Sequence, residues 1–265
     1  MLELHVVDSA DYGGKALELG RALRAGLPVP AGWAVSPELV EQAVHGDGTA
    51  RERLARAQGA LGPSAVRSSA LGEDGAQASF AGQHASVLNV RTAEALFLAL
   101  ESVYASVRAP AALAYRQRLG IAAEPRMAVV LQALVPAESA GVLFTKNPLT
   151  GADERLIEGS FGLGEAVVSG IVTPDRFRLA RGGRLLEQTL GDKDIEIGWH
   201  PEGGTHELAV SPERINQPCI DAAQLAQLDD LASACERAFA GPHDIEWAFA
   251  RGRLYLLQRR AITRA

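Results

Sequence analysis

Apolar residues recur along this chain at two spacings, and the change between them falls near residue 126. Before it the repeat is mostly helical. Residues 15–25 carry Leu17, Leu19 and Leu23 on or near one side, which predicts a helix that follows the Gly13-Gly14 turn and stops at Pro28 and Pro30. Residues 37–61 predict two short helices broken at His45-Gly46-Asp47-Gly48. Thr92 can cap a helix whose buried stripe is Leu96, Leu100, Val103 and Val107, and 111–119 predicts another. Short strands are expected at 2–8, 32–35, 65–68 and 87–90, with a loop of small and polar residues over 69–85.

Beyond residue 126 the period is that of strands. They are expected at 127–135, 141–145, 155–160, 176–180, 184–190 and 205–210, punctuated by turns at 148–151 and 181–183. Asp221 and Gln224 have capping-box spacing for a helix over 222–240, and strands over 244–250 and 253–260 flank Arg251-Gly252. Short strands with interspersed helices predict an α+β fold with two lobes around a cleft, divided as 1–120 and 121–265.

Composition narrows the function classes. A chain of 265 residues suits one large domain or two joined subdomains. The net charge of −6, with no basic stripe, argues against nucleic acid as the main partner. No apolar run approaches about 18 residues, so no membrane span is expected. The start MLELHVVD is too short and too charged for a signal peptide, which predicts a cytoplasmic protein. Cys219 and Cys235 lack metal-site spacing, and Cys235 falls on a helical apolar stripe.

Three segments carry candidate chemistry, each with a plainer alternative. Tyr12-Gly13-Gly14-Lys15 sets a lysine at a helix start, where backbone N–H groups and the helix dipole favour an anion. It is not a Walker A loop, because Ala16 stands where Ser or Thr would meet Mg2+. By itself it reads more simply as a turn with a solvated lysine. Arg67, at a strand end, can grip phosphate with two N–H groups, and the small residues 78–82 would let backbone approach phosphate oxygens. A polar surface loop with a surface arginine explains the same residues. Asp244 and Glu246 share one face of a strand, with Ile245, Trp247 and Phe249 on the other. Such a carboxylate pair suits Mg2+, and an ordinary half-exposed hairpin suits it equally. Gly162-Leu163-Gly164 begins like a dinucleotide fingerprint, but the third glycine and the βαβ unit are missing, which leaves a glycine-rich turn.

Six blocks, in order, span nearly the whole chain: GGKALELG (13–20), PVPAGWAVS (28–36), AVRSSALGEDGAQASFAGQ (65–83), MAVVLQALVPAESAGVLFTKNPLTG (127–151), GLGEAVVSGIVTPD (162–175) and DIEWAFARGRLYLLQRRAIT (244–263). Together they resemble the nucleotide-binding domain shared by phosphoenolpyruvate synthase, pyruvate phosphate dikinase and rifampin phosphotransferase. The resemblance implies an ATP-grasp-like fold holding ATP and Mg2+. It implies Lys15 and Arg67 as phosphate ligands, Gly82 and Ser86 in a glycine loop over the phosphates, and Gln132 at the adenine edge. It places Mg2+ on Glu246 with Asp244 close by and Gln258 as a further candidate ligand, and turns Gln258 and Arg260 toward the triphosphate. Lys15, Arg67 and Arg260 would carry the catalytic charge. Ser86 stands where the family has Thr, Ala261 where it has Pro, and the segment from Val35 to Ala65 is short.

Members of this family pass a phosphoryl group through a histidine on a swivelling domain that follows this one. None of His5, His45, His84, His200, His206 and His243 stands in its Thr-Ser-His type of context. The resemblance therefore implies transfer from ATP, of the β-phosphoryl with release of AMP, to a phosphohistidine-domain partner or a C-terminal domain outside this sequence. A small molecule would be the final acceptor. A stand-alone ATP-grasp enzyme acting directly on a small molecule, and a nucleotide-binding regulator without turnover, are the other readings.

A joint metal and phosphate role constrains the last hairpin. A two-residue loop at Arg251-Gly252 would set Glu246 opposite Leu257 and turn Gln258 away. A three-residue loop, 251–253, pairs Ala250 with Leu254, Glu246 with Gln258 and Asp244 with Arg260, with Gly252 in the left-handed region. The expectation is that Asp244, Glu246, Gln258 and Arg260 share a face and that Trp247 pairs with Leu257. A bulge would restore the same faces from another loop length.

Overall fold

The stretch MAVVLQA at 127–133 is apolar on both faces, the pattern of a strand flanked on both sides. It becomes the centre of one sheet. In a computed structural model, which describes residues 1–71, 85–118 and 126–262, the chain is α+β and divides into two units. The first is Met1–Arg24, Pro30–Leu134 and His200–Gly204; the second is Ala25–Val29, Val135–Trp199 and Thr205–Ala265.

The first unit holds a five-stranded antiparallel sheet, ordered β1 (Leu2–Glu3), β2 (Gly32–Val35), β5 (Met127–Ala133), β3 (Ser64–Ala70), β4 (Ser86–Val90). One face buries Val35, Val66, Met127, Val129 and Leu131 against α2 (Pro37–Val44), α3 (Gly48–Leu61) and α4 (Ala93–Ser106). Alternation puts Arg67, Ser69, Val130 and Gln132 on the other face, toward α1 (Gly13–Arg24). The helix α5 (Pro110–Arg118) completes the described helices of this unit. The strand expected over 2–8 stops at Glu3. Leu4–Val6 instead form a 3-10 turn that buries Leu4, and Arg24 donates to the carbonyls of His5 and Val7 at 2.9 and 2.7 Å. Asn89, at φ 56°, donates from Nδ2 to the carbonyls of His200 and Gly204 at 2.6 and 2.8 Å, which ties that late segment into the first unit.

The second unit holds a six-stranded antiparallel sheet, ordered β13 (Arg253–Ala261), β12 (His243–Ala250), β6 (Ser139–Phe144), β7 (Glu154–Phe161), β8 (Asp175–Ala180), β9 (Leu185–Thr189). A separate hairpin pairs β10 (Ile195–Trp199) with β11 (Thr205–Ala209), and α6 (Glu165–Val168) and α7 (Pro212–Ile215) are single turns. The helix α8 (Ala222–Ala238) starts at the expected capping box, with both reciprocal bonds formed at 2.8 and 2.9 Å, and contacts β6, β12 and β13. Arg155 ties β7 to it, bonding Asp229, Ser233 and Glu236. Asp175 and Lys193 form an ion pair with no exposed surface, and Asp175 also accepts from the N–H groups of Gly191 and Cys219.

Two expectations change. The boundary set at 120/121 falls after Leu134, because β5 hydrogen-bonds between β2 and β3 and so belongs to the first sheet. β10 was not anticipated; its Ile195/Ile197 alternation follows directly on Asp192-Lys193-Asp194, which hides it.

Candidate functional site

In the first unit the glycine turn and β3 are locked together. Gly13 has φ 80°, and a Cβ there would lie 1.9 Å from the Ser69 carbonyl oxygen, so this close approach needs glycine. The Ser69 hydroxyl donates to the Tyr12 carbonyl at 2.8 Å and accepts from the Ala16 N–H at 3.1 Å. Lys15 is 5% exposed, and its ammonium donates to the Ser68 carbonyl at 2.7 Å. This corrects the plainer reading of a solvated lysine. Arg67, expected on that reading to be a surface arginine, is 9% exposed. Its Nη1 donates to Gln132 Oε1 at 3.3 Å, while Gln132 Nε2 donates to the Pro30 carbonyl at 3.3 Å. Ser86, exposed, stands directly opposite Arg67 in the β3–β4 register. Gly82 lies outside the described residues. The Lys15 ammonium thus reaches the backbone of Ser68, the residue next to Arg67 on β3, and both side chains could donate to an anionic ligand.

In the second unit the hairpin reaches the expected pairing by another route. The loop has two residues, with Ala250 opposite Arg253 and both Arg251 (φ 51°) and Gly252 (φ 71°) in the left-handed region. Two left-handed central residues give the turn whose twist matches the strands. The extra residue is absorbed farther along, in a bulge at Glu246/Trp247, where the register steps from Gln258 to Leu256. Glu246 then pairs with Gln258 and Asp244 with Arg260, as expected, but Trp247 pairs with Leu256, not Leu257. Leu257 packs instead beside Val135, Ala140, Ala248 and Ala250.

Gln258 is buried, and Asp244, Glu246 and Arg260 are half-buried. Among the described residues no three His, Cys, Asp or Glu side chains gather around a metal position. The donors on this face are two carboxylates and an amide. That set suits a hard cation that takes one or two carboxylates and completes its shell with water and phosphate oxygens; it does not suit zinc. On the opposite face Trp247 is fully buried against Gly159, where a Cβ would lie 2.9 Å from the indole.

Sequence reasoning missed the supports of these residues. His243, fully buried, takes Arg259 Nη1 on its Nδ1 at 3.2 Å, and the Arg259 guanidinium stacks 3.9 Å over the Phe239 ring. Burial lowers the His243 pKa and brings that of Arg259 down to about 10. Nothing in the local sequence signals this stack or the Arg67–Gln132 bond, since each joins residues far apart in the chain. The Gly162-Leu163-Gly164 segment is a turn, with Gly162 at φ 74° and an antiparallel sheet behind it, so no dinucleotide fold surrounds it.

Residues 48–265 match the family model described as pyruvate phosphate dikinase, AMP/ATP-binding domain. Among curated proteins, the chain is 34% identical over 309 residues to a probable phosphoenolpyruvate synthase of Methanothermobacter thermautotrophicus, covering 98% of this chain and 45% of that protein. It is 39% identical over 201 residues to a rifampicin phosphotransferase of Streptomyces sviceus, covering 75% and 23%. With a prodigiosin synthesizing transferase of Serratia marcescens it shares 36% identity over 280 residues, covering 95% and 31%. The chain therefore spans less than half the length of these relatives. Among solved structures, D-alanine–D-alanine ligase from Bacillus anthracis complexed with ATP aligns at a TM-score of 0.41 and 10% identity, covering 96% of this chain and 56% of that one. The family match takes in well over half of the sequence, including Arg67 and the whole β12–β13 hairpin, and the chain belongs to the pyruvate phosphate dikinase AMP/ATP-binding domain family.

Proposed function

We propose that this chain binds Mg-ATP and is the ATP-using part of a phosphotransferase that passes a phosphoryl group to a histidine outside this sequence. The observation that carries the reading is the bulged hairpin, which spends an extra residue to set Glu246 across from Gln258 and Asp244 across from Arg260. Glu246 and Asp244, with the Gln258 amide, would hold Mg2+, which when bound would supply neutralising charge to the phosphates. Lys15 and Arg67, with Arg260, stabilise the charge that spreads over the transferring group. Ser86, at the start of β4, contributes its hydroxyl to the phosphates. An imidazole nitrogen attacks the β-phosphorus, the α,β-anhydride bond breaks, and AMP leaves with that electron pair; the histidine then carries both the β- and γ-phosphoryl groups, and water cleaves the β,γ-anhydride to release the γ-phosphoryl as inorganic phosphate.

The longer relatives support a histidine-bearing domain or partner protein, and their names support a small-molecule final acceptor. The two cysteines are free and buried, which supports a cytoplasmic setting. No helix among the described residues is long and apolar enough to cross a membrane.

Arg67→Ala and Glu246→Ala test the reading. Both variants should keep the fold and lose AMP formation by at least about a hundredfold. AMP should form only when a phosphohistidine domain is supplied. Either variant turning over ATP at the wild-type rate defeats the assignment. Turnover with a small molecule alone would point to a stand-alone enzyme instead.

A further inference from the structure

Gln132 stands on β5 between β2 and β3, 2% exposed, on the face that carries Arg67. Its direct neighbours across the sheet are Gly32 and Ala65. Both are small, so the long amide side chain can lie along the sheet toward Arg67, its diagonal neighbour. The two amide bonds fix one another. The Pro30 carbonyl can only accept, so the NH2 end faces it, at 3.3 Å. The oxygen end is then left to the Arg67 guanidinium, which can only donate, at 3.3 Å. Each end of the amide thus has a protein partner, and the oxygen's partner is the Arg67 guanidinium.

We propose that Gln132 is a positioning residue: it orients the Arg67 guanidinium for phosphate and does not read the adenine edge. The proposal rests on the reading of Arg67 as a phosphate ligand. Gln132 fixes one of the N–H groups of Arg67, which limits the directions in which the others point. The loss on removing it should therefore scale with the phosphates of the ligand and leave base selectivity alone.

Calorimetry on the full chain with Mg-ATP, Mg-GTP and adenosine tests this, using Gln132→Leu and, in case that variant misfolds, the unbranched Gln132→Met. Thermal unfolding checks that each is folded. Affinity for Mg-ATP should fall about tenfold, the loss expected of one hydrogen bond to a charged group. Adenosine affinity and the ATP-to-GTP ratio should stay within about twofold of wild type, since neither depends on the guanidinium. In an Arg67→Ala background the same substitution should add nothing, because its effect acts through Arg67. Adenosine weakening in step with ATP, a collapsed ATP-to-GTP ratio, or losses that add to Arg67→Ala would each overturn the proposal. Arg67→Ala binding Mg-ATP like wild type would be a different failure: it removes the phosphate reading itself, and the positioning role with it.

Discussion

Arg155 lies on β7 with 1% of its side chain exposed, and α8 supplies most of its partners. Nε donates to Asp229 at 3.0 Å, Nη1 to Glu236 at 2.8 Å and Nη2 to Ser233 at 3.1 Å, and Nη1 also reaches the Thr145 carbonyl at 2.9 Å. After Arg155→Ala, Glu236 keeps Arg181, at 2.7 and 3.1 Å. Asp229, 6% exposed, keeps the Gly182 N–H at 3.1 Å. A buried carboxylate stripped of its cation costs about 3–5 kcal/mol, and that is the expected destabilisation of the second unit at pH 7. The gap should also depend on pH. Desolvation pushes the Glu236 carboxyl up, but the hydrogen bonds and charges of Arg155 and Arg181 outweigh it and hold the pKa at about 2. A folded pKa below the unfolded value of 4.5 means stabilisation that is present above 4.5 and lost as pH falls toward 2. For this partly solvated group it amounts to roughly 1–3 kcal/mol. The difference between wild type and variant should therefore narrow as pH drops through that window. With Trp33 and Trp199 replaced by Phe, the buried Trp247 is the only indole left and reports this unit in urea titrations at pH 7 and pH 3. A gap under about 1 kcal/mol at pH 7, or one unchanged at pH 3, would refute the reasoning.

Gly13→Ala should cost the first unit more than about 2 kcal/mol, because it adds left-handed strain to a 1.9 Å clash with the Ser69 carbonyl; an unchanged Tm would contradict this. Gly159→Ala should overpack the Trp247 pocket, where the new Cβ lies 2.9 Å from the indole and 3.2 Å from Cys219 Sγ, at about 1–3 kcal/mol by urea unfolding with a shifted Trp247 emission. Burial holds the Cys219 thiol well above the ordinary range and Cys235 at about 12, so a thiol reagent at pH 8 should label both slowly in the native protein and quickly in urea; fast native labelling would show that one of them is reached by solvent. Removing Mg2+ with a chelator should weaken ATP binding in calorimetry, and equal affinities with and without chelator would count against the carboxylate pair at Asp244 and Glu246.

Features governed by neighbours in sequence were the legible ones. Thr92 caps α4 and Asp221 with Gln224 boxes α8 because each bond spans a single turn. The β12–β13 partners were legible because only one pairing unites Glu246 with Gln258, yet the loop length was not. The alternation of the strands is the same for a longer loop and for a bulge, and the twist that prefers a two-residue turn belongs to the assembled sheet. Burial of Lys15 was hidden because Gly13-Gly14-Lys15 is hydrophilic by composition; its cover comes from β3, more than fifty residues on, through Ser68 and Ser69. The boundary between the units was misplaced for a similar reason. The change of period near residue 126 marks where strands become frequent, not which sheet the first of them joins.

The order in which a ribosome releases the chain differs from the order in which each unit can be finished. Ala25–Val29, part of the second unit, emerges before most of the first, and its Pro28 carbonyl then waits for the Leu256 N–H on β13. His200–Gly204, which Asn89 binds in the first unit, emerges only after β6 to β10 have been made. The first unit must hold a place open for a segment delivered late, and a segment of the second delivered early must wait for its last strand, so neither can close as a finished folding intermediate before those segments are made. Pairings this distant in sequence are slow to form, and the half-built sheets they leave are exposed to other chains in the meantime. A nascent chain halted at Leu134 would carry the whole five-stranded sheet and still lack the segment to which Asn89 bonds.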